Sequence, residues 1–166
     1  VNLARILRHL AAGRMALRRL FPASALVAIE QAIESSEVSH GGEIRFAAES
    51  GLQLLSLLKD QPARERAIEV FSQLGVWDTE HNNGVLIYLL VADRDVEIVA
   101  DRGINMKVGR EKWELICREM EGAFSQGKFE SGVIAGIRAV GEHLREHFPS
   151  EQSEQQNELT DRPVIL

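Results

Sequence analysis

The segment Asp78-Thr79-Glu80-His81-Asn82-Asn83 gathers two carboxylates, two side-chain amides and an imidazole in six consecutive positions. Carboxylate and amide oxygens are what hard cations such as Ca2+ or Mg2+ take as ligands, and imidazole moves protons near neutrality. A second polar pair, Asp101-Arg102, follows a run that reads as the partner strand of a hairpin. Antiparallel pairing sets the start of one strand beside the end of the next, so the two groups are expected as neighbours. In the reactive reading, Asp78, Glu80, Asn82, Asn83 and Asp101 supply oxygens to a cation and Arg102 grips a phosphate. His81 or a metal-bound water then does the proton work, with Asp101 counted among the catalytic groups. That constellation is a metal-assisted phosphomonoester hydrolase. A structural calcium site uses the same ligands without chemistry. A polar loop beside a salt-bridged hairpin end uses none of them.

Other candidates carry less. Asp93-Arg94-Asp95 lies at the opposite end of the hairpin, where Asp serves the turn backbone. His143 and His147 have the i, i+4 spacing of a zinc pair, but no third ligand accompanies them and a solvated helix face is expected. His40 reads as a turn residue. Cys117 falls on an apolar helix stripe as a small hydrophobe. Gly41-Gly42 lacks the Lys-Ser/Thr of a phosphate loop and precedes a strand. There is no Ser-His-Asp elbow.

The elements that must position these groups are legible from periodicity. Asn82-Asn83-Gly84 opens the apolar run Val85 to Ala92, and Asp93-Arg94-Asp95 turns into the alternating segment Val96 to Gly103. This is a hairpin with one strand buried on both faces and one at a sheet border. Glu43 to Ala48 alternates as an earlier strand. Helices are predicted over Ala23 to Glu37, from Pro62 through Leu74, along Trp113, Ile116, Cys117, Met120 and Phe124, and along Val133, Ile137, Val140 and Leu144. The Leu54, Leu55, Leu57, Leu58 cluster is expected as a short buried segment. Residues 150–157 are polar and low in complexity, hence expected to be mobile. Pro163-Val164-Ile165-Leu166 can dock on a sheet edge, although a frayed end is the default. Helices before, between and after the strands imply an α/β class, a three-layer α/β/α sandwich on a small mixed sheet.

The 166 residues suit one domain, carry net charge −6 and hold one cysteine, so no internal disulfide forms. The longest apolar stretch, Val85 to Ala92, is far short of the roughly 20 residues of a membrane helix. With no export signal visible, a cytoplasmic location is expected, peripheral to a membrane if the arm lies on one. Residues 1–20 contain five arginines and no acid, whereas the other 146 residues carry net charge −11. Leu3, Ile6, Leu10, Gly13, Leu17 and Leu20 form a stripe with the arginines off it, which predicts one amphipathic helix about 30 Å long. This arm, residues 1–21, can pack on its own domain, pair with a second copy as a homodimer, or meet a protein partner or anionic membrane surface. Nucleic acid is excluded from the acidic body.

Five local motifs appear in a telling order: Gly42 before Ile44; Leu74-Gly75-Val76-Trp77; Asn83-Gly84-Val85-Leu86; Ile98 to Gly103; and Phe124-Ser125-Gln126-Gly127-Lys128-Phe129-Glu130-Ser131-Gly132. Between about Ala23 and Phe148 this series resembles the TPM domain, in a short proteobacterial-like form without an export signal. The resemblance implies an α/β/α sandwich over residues 22–149, followed by a polar tail over 150–166. It also implies divalent-cation binding, calcium in particular, with phosphatase-type activity in some relatives and accessory roles for membrane complexes in others. The chain departs from the family at Asn82, where relatives commonly have Asp, and at Asp101-Arg102, where they tend to have Gly-Tyr. The favoured reading is a partner-binding or accessory module, with the hydrolase and the structural calcium domain as alternatives.

Overall fold

The computed structural model describes residues 2–150 and 157–166. In chain order, helices α1 (Leu3–Ala11), α2 (Arg14–Leu20) and α3 (Ala23–Glu37) lead into strand β1 (Glu43–Glu49). Helices α4 (Leu54–Leu58) and α5 (Ala63–Gln73) separate it from the hairpin β2 (Gly84–Leu90) and β3 (Asp95–Ala100). Helices α6 (Arg102–Val108), α7 (Arg110–Ser125) and α8 (Phe129–His147) follow, and β4 (Val164–Ile165) closes the chain.

The sheet order is β3-β2-β1-β4, with β2 and β3 antiparallel and β1 parallel to both β2 and β4. Strand β2 is buried at every position, as its unbroken apolar run requires, and β3 alternates as a border strand does. Side-chain alternation divides the strands between two cores. Ile44, Phe46, Val85, Ile87, Leu89 and Ile98 face α3, α7 and α8. Ala47, Leu86, Tyr88, Leu90 and Val99 face the opposite core, with Ile6, Leu57, Ala67 and Val70. The result is the expected mixed α/β fold with helical layers on both faces.

Several expectations need correction. The arm is two helices, not one. Gly13 adopts an extended conformation as the N-cap of α2, and the Ala12 N–H returns to the carbonyls of Arg8 and His9. The stripe is therefore broken: Ile6 and Leu17 are buried, whereas Leu3 and Leu10 are exposed. Helix α1 is rotated because its polar side finds partners on the body. Of the Leu54 to Leu58 cluster only Leu57 is buried, since a five-residue helix can turn only one side inward. The end of the chain is not frayed. Val164 and Ile165 pair with Ala47 and Ala48, and the Leu166 N–H donates to the Ala48 carbonyl at 2.9 Å. The low-complexity segment lies, over 151–156, outside the described residues.

The minor candidates also find places. His143 is not on a solvated face but packs edge-on against Trp113, with ring centroids 5.6 Å apart. His40 does sit in the turn before β1, yet it is buried between Ser36 Oγ and the Gly42 carbonyl, and burial lowers its pKa to about 4. Burial pushes the Cys117 thiol up to about 12, in keeping with a small hydrophobe.

Candidate functional site

The hairpin brings the two halves of the sequence-predicted site to one end of the sheet. Val85 pairs with Ala100, and one position further on the Asp101 N–H donates to the Gly84 carbonyl at 2.8 Å. The Ile104 N–H then donates to the Asn82 carbonyl at 3.2 Å. The approach is so close that a Cβ on Gly103 would stand 2.6 Å from the Asn82 carbonyl oxygen and 2.8 Å from that of His81. Only glycine fits there. Asn82 itself takes a left-handed φ of 51°, which asparagine tolerates better than most residues.

Asn83 is the best-anchored member. Its N–H donates to Thr79 Oγ1 at 3.2 Å and its Nδ2 to the Gly41 carbonyl at 2.9 Å, so it ties the loop to the turn before β1. Its Oδ1 is buried without a hydrogen-bond partner among the described residues. Asp101 leaves β3 as expected and is at the same time the N-cap of α6. Its Oδ1 accepts the Arg102 N–H at 2.7 Å, while Oδ2 is buried and has no partner among the described residues. Helix α6 itself was not foreseen, because the sequence around Gly103 lacks the periodicity of a longer helix.

The remaining site residues converge less. Asp78, Glu80, His81, Asn82 and Arg102 are exposed. Among the described residues no hydrogen-bond or ion-pair partner holds the side chains of Asp78, His81 or Arg102. The Glu80 N–H donates to Glu158 Oε2 at 2.9 Å, a contact with the chain end that sequence reasoning did not see. Two unpartnered oxygens, one amide and one carboxylate, are the right kind of donor for a hard cation. Their number falls short of the six to eight that calcium takes. No group of three or more His, Cys, Asp or Glu among the described residues could hold a metal ion. Open grooves of about 590, 470 and 440 Å³ lie elsewhere on the molecule.

At the opposite end of the hairpin, in the turn that the sequence predicts, a second set of side chains converges on Asp93. Asp93 accepts Arg5 Nη2 at 2.8 Å and Arg8 Nη2 at 2.7 Å, and His9 Nε2 lies 2.9 Å from it. His9 Nδ1 accepts the Leu52 N–H at 2.9 Å, which places the ring proton on Nε2, toward Asp93. Burial alone would raise the Asp93 pKa, but the hydrogen bonds from Arg5, Arg8 and His9 outweigh it and hold the group at about 2.

Seating α1 in this way turns Leu3, Leu7 and Leu10 outward, and the neighbouring helix α4 exposes Leu54, Leu55 and Leu58. All six are between 48% and 72% exposed. The spacing of Leu3, Leu7 and Leu10 was a signal in the sequence. Its outward direction was not, because that depends on Asp93.

The profile of the TPM domain matches residues 18–143. The NMR structure of BA42 protein from the psychrophilic bacterium Bizionia argentinensis superposes with a TM-score of 0.77. It is 31% identical, and the match covers 88% of this chain and 95% of that one. The solution structure of the N-terminal domain of a protein from P. gingivalis shares the fold at 20% identity and a TM-score of 0.62, over 80% and 83% of the two chains. No curated protein matches the chain. No helix among the described residues is long and apolar enough to cross a membrane.

Proposed function

The chain belongs to the TPM domain family, and on that premise we propose that it is a partner-binding accessory module that docks through the leucine face of α1 and α4. The observation that carries this reading is the set of six exposed leucines on two adjacent helices, the three on α1 held outward by the Asp93 ion pairs. An apolar face of that kind on a folded domain marks an interaction site. Leu3, Leu7 and Leu10 have the i, i+4, i+7 pattern of a helix seated in a groove. The partner is a protein with an apolar surface rather than an anionic membrane. Two of the five arm arginines are already tied to Asp93, and the rest of the chain, at net charge −11, is repelled by anionic lipid. The paired variant Leu7→Asp with Leu55→Asp tests this. Both sites are exposed, so the melting temperature is expected to hold within about 0.5 kcal/mol of stability, while association with the partner is lost. A variant that keeps its partner contradicts the reading.

A second reading concerns the other end of the hairpin and rests on the two unpartnered oxygens, Asn83 Oδ1 and Asp101 Oδ2. These would contribute to a weak site for Ca2+ or Mg2+, completed by water and by Asp78 or Glu80 swinging in from solvent. Such an incomplete shell suits affinities on the order of 10⁻⁴–10⁻³ M. In a phosphoryl-transfer version of this site, Arg102 and His81 would have to be ordered by the substrate.

A further inference from the structure

The two borders of the sheet are finished in different ways. On β3 the outward main-chain groups are capped by side chains. The Val96 N–H donates to Glu121 Oε1 at 3.1 Å, and Arg64 Nη1 donates to the Ile98 carbonyl at 2.5 Å. Capping of this sort closes an edge to further strands. On β1 the border is instead filled by the chain's own residues 157–166, running parallel to it.

What holds that segment is mainly a grip on its backbone. The Glu43 carboxylate accepts two successive N–H groups, those of Glu158 and Leu159, each at 3.1 Å. Arg45 donates to the Thr160 carbonyl, and the Ala48 carbonyl accepts the Leu166 N–H. Among its side chains, Leu159, Val164 and Leu166 pack partly buried on the second core, Glu158 Oε2 accepts the Glu80 N–H, and Asp161 faces Glu37. Glu43 and Arg45 are each only 5% exposed, and Arg45 Nε has no partner among the described residues. Two buried polar side chains aimed at main-chain atoms supply the grip on extended backbone, and the places taken by Leu159, Val164 and Leu166 supply the selectivity for an apolar pattern.

We propose that the β1 edge is a binding site for an extended peptide, that residues 157–166 are its tethered occupant, and that a peptide of the same apolar pattern from another chain can displace them. The incoming strand lies parallel to β1, offers two consecutive N–H groups to Glu43 and a carbonyl to Arg45, and places apolar side chains where Leu159, Val164 and Leu166 now sit. Tethering gives the resident segment a high effective concentration, so it is displaced only when its own anchors are weak or the competitor is abundant. Because Glu158 also caps the Glu80 N–H, exchange at the edge is felt in the Thr79 to Asn83 loop.

The test uses the full chain with the resident strand weakened by Val164→Asp and Leu166→Asp, and a fluorescent peptide of natural sequence 157–166. The peptide is expected to bind this variant at least about ten-fold more tightly than the unaltered chain. Adding Glu43→Gln should weaken binding by about ten-fold, and a scrambled peptide should not bind. Equal binding to all proteins, equal binding of the scrambled peptide, or no binding to the weakened variant overturns the proposal. Amide exchange on the unaltered chain gives a second reading that requires no variant to fold. Leu159 and Leu166 should exchange at least about a hundred-fold faster than the amides of β2, as a segment that opens alone does. Protection equal to that of β2 would make the segment an integral strand and overturn the proposal.

Discussion

Arg5 Nη2 reaches Asp93 Oδ2 at 2.8 Å, joining the first helix to a hairpin tip 88 positions further along the chain. This ion pair decides which way α1 faces. With Arg5, Arg8 and His9 turned inward to Asp93, Leu3, Leu7 and Leu10 are left on the outside.

Removal of the Asp93 carboxylate therefore releases α1 rather than the sheet. Asp93→Ala leaves Arg5 part-buried without its counter-charge, a loss of about 3 kcal/mol for a pair of this burial. Amide exchange should accelerate across Leu3 to Ala11, while β2 amides keep their protection. Unchanged protection in α1 would show that apolar contacts at Ile6 hold the helix unaided. Acid should act in the same way. The folded Asp93 pKa of about 2 lies below the ordinary 3.8. Its stabilisation is thus complete above about pH 4 and disappears as pH falls through 2.

Glu37 has the opposite sign. Its Oε1 accepts the Ile44 N–H at 2.8 Å, and it faces Glu43, Asp161 and Arg45. Burial, with the neighbouring carboxylates adding to it, raises its pKa from 4.5 to about 9. The folded state holds a proton there that the unfolded chain has lost, so this contribution is present below about pH 4.5 and is lost as pH rises toward 9. Glu37→Gln imitates the protonated form. Its melting temperature should fall less than that of the unaltered chain between pH 6 and pH 9. Parallel curves for the two proteins would contradict the assignment.

Much of this architecture was written in the periodicity of the chain. Helices α3, α5, α7 and α8 and the hairpin bury the side chains that their spacing marks, because each is long enough for its apolar face to dominate. The meeting of Asn82-Asn83 with Asp101 was also legible, since antiparallel register alone imposes it. What was not legible depends on distant partners. The Leu3 to Leu20 stripe looked continuous, but Gly13 interrupts it and Asp93 rotates its first half. The pairing of Val164-Ile165 requires the open border of β1, and the cap of α6 requires Asp101 to turn from strand to helix. The direction of a side chain on a short element is set by what it meets, which local spacing does not contain.

At the site itself, Ca2+ at millimolar concentration should raise the melting temperature by about 1–3 °C, as ligand binding to the native state does near its dissociation constant. Asp101→Asn should abolish the shift. It should also keep most of the helix cap, whose loss is worth about 1 kcal/mol. A shift that survives in Asp101→Asn places the ion elsewhere. Hydrolysis of an aryl phosphate that depends on Mg2+ or Ca2+ and vanishes in Asp101→Asn would favour the catalytic role for His81 and Arg102 over a binding role alone.

The leucine face is tested most directly by site-specific photo-crosslinking in the cells that make the protein. A photo-reactive residue at position 7 should give one discrete adduct with a protein partner. That adduct should disappear when Leu10→Asp and Leu55→Asp are added, and a probe at Arg118, on the far side of the sheet, should give none. Equal adducts from both probes, or an adduct at position 7 that persists in the doubly substituted chain, would contradict docking through α1 and α4.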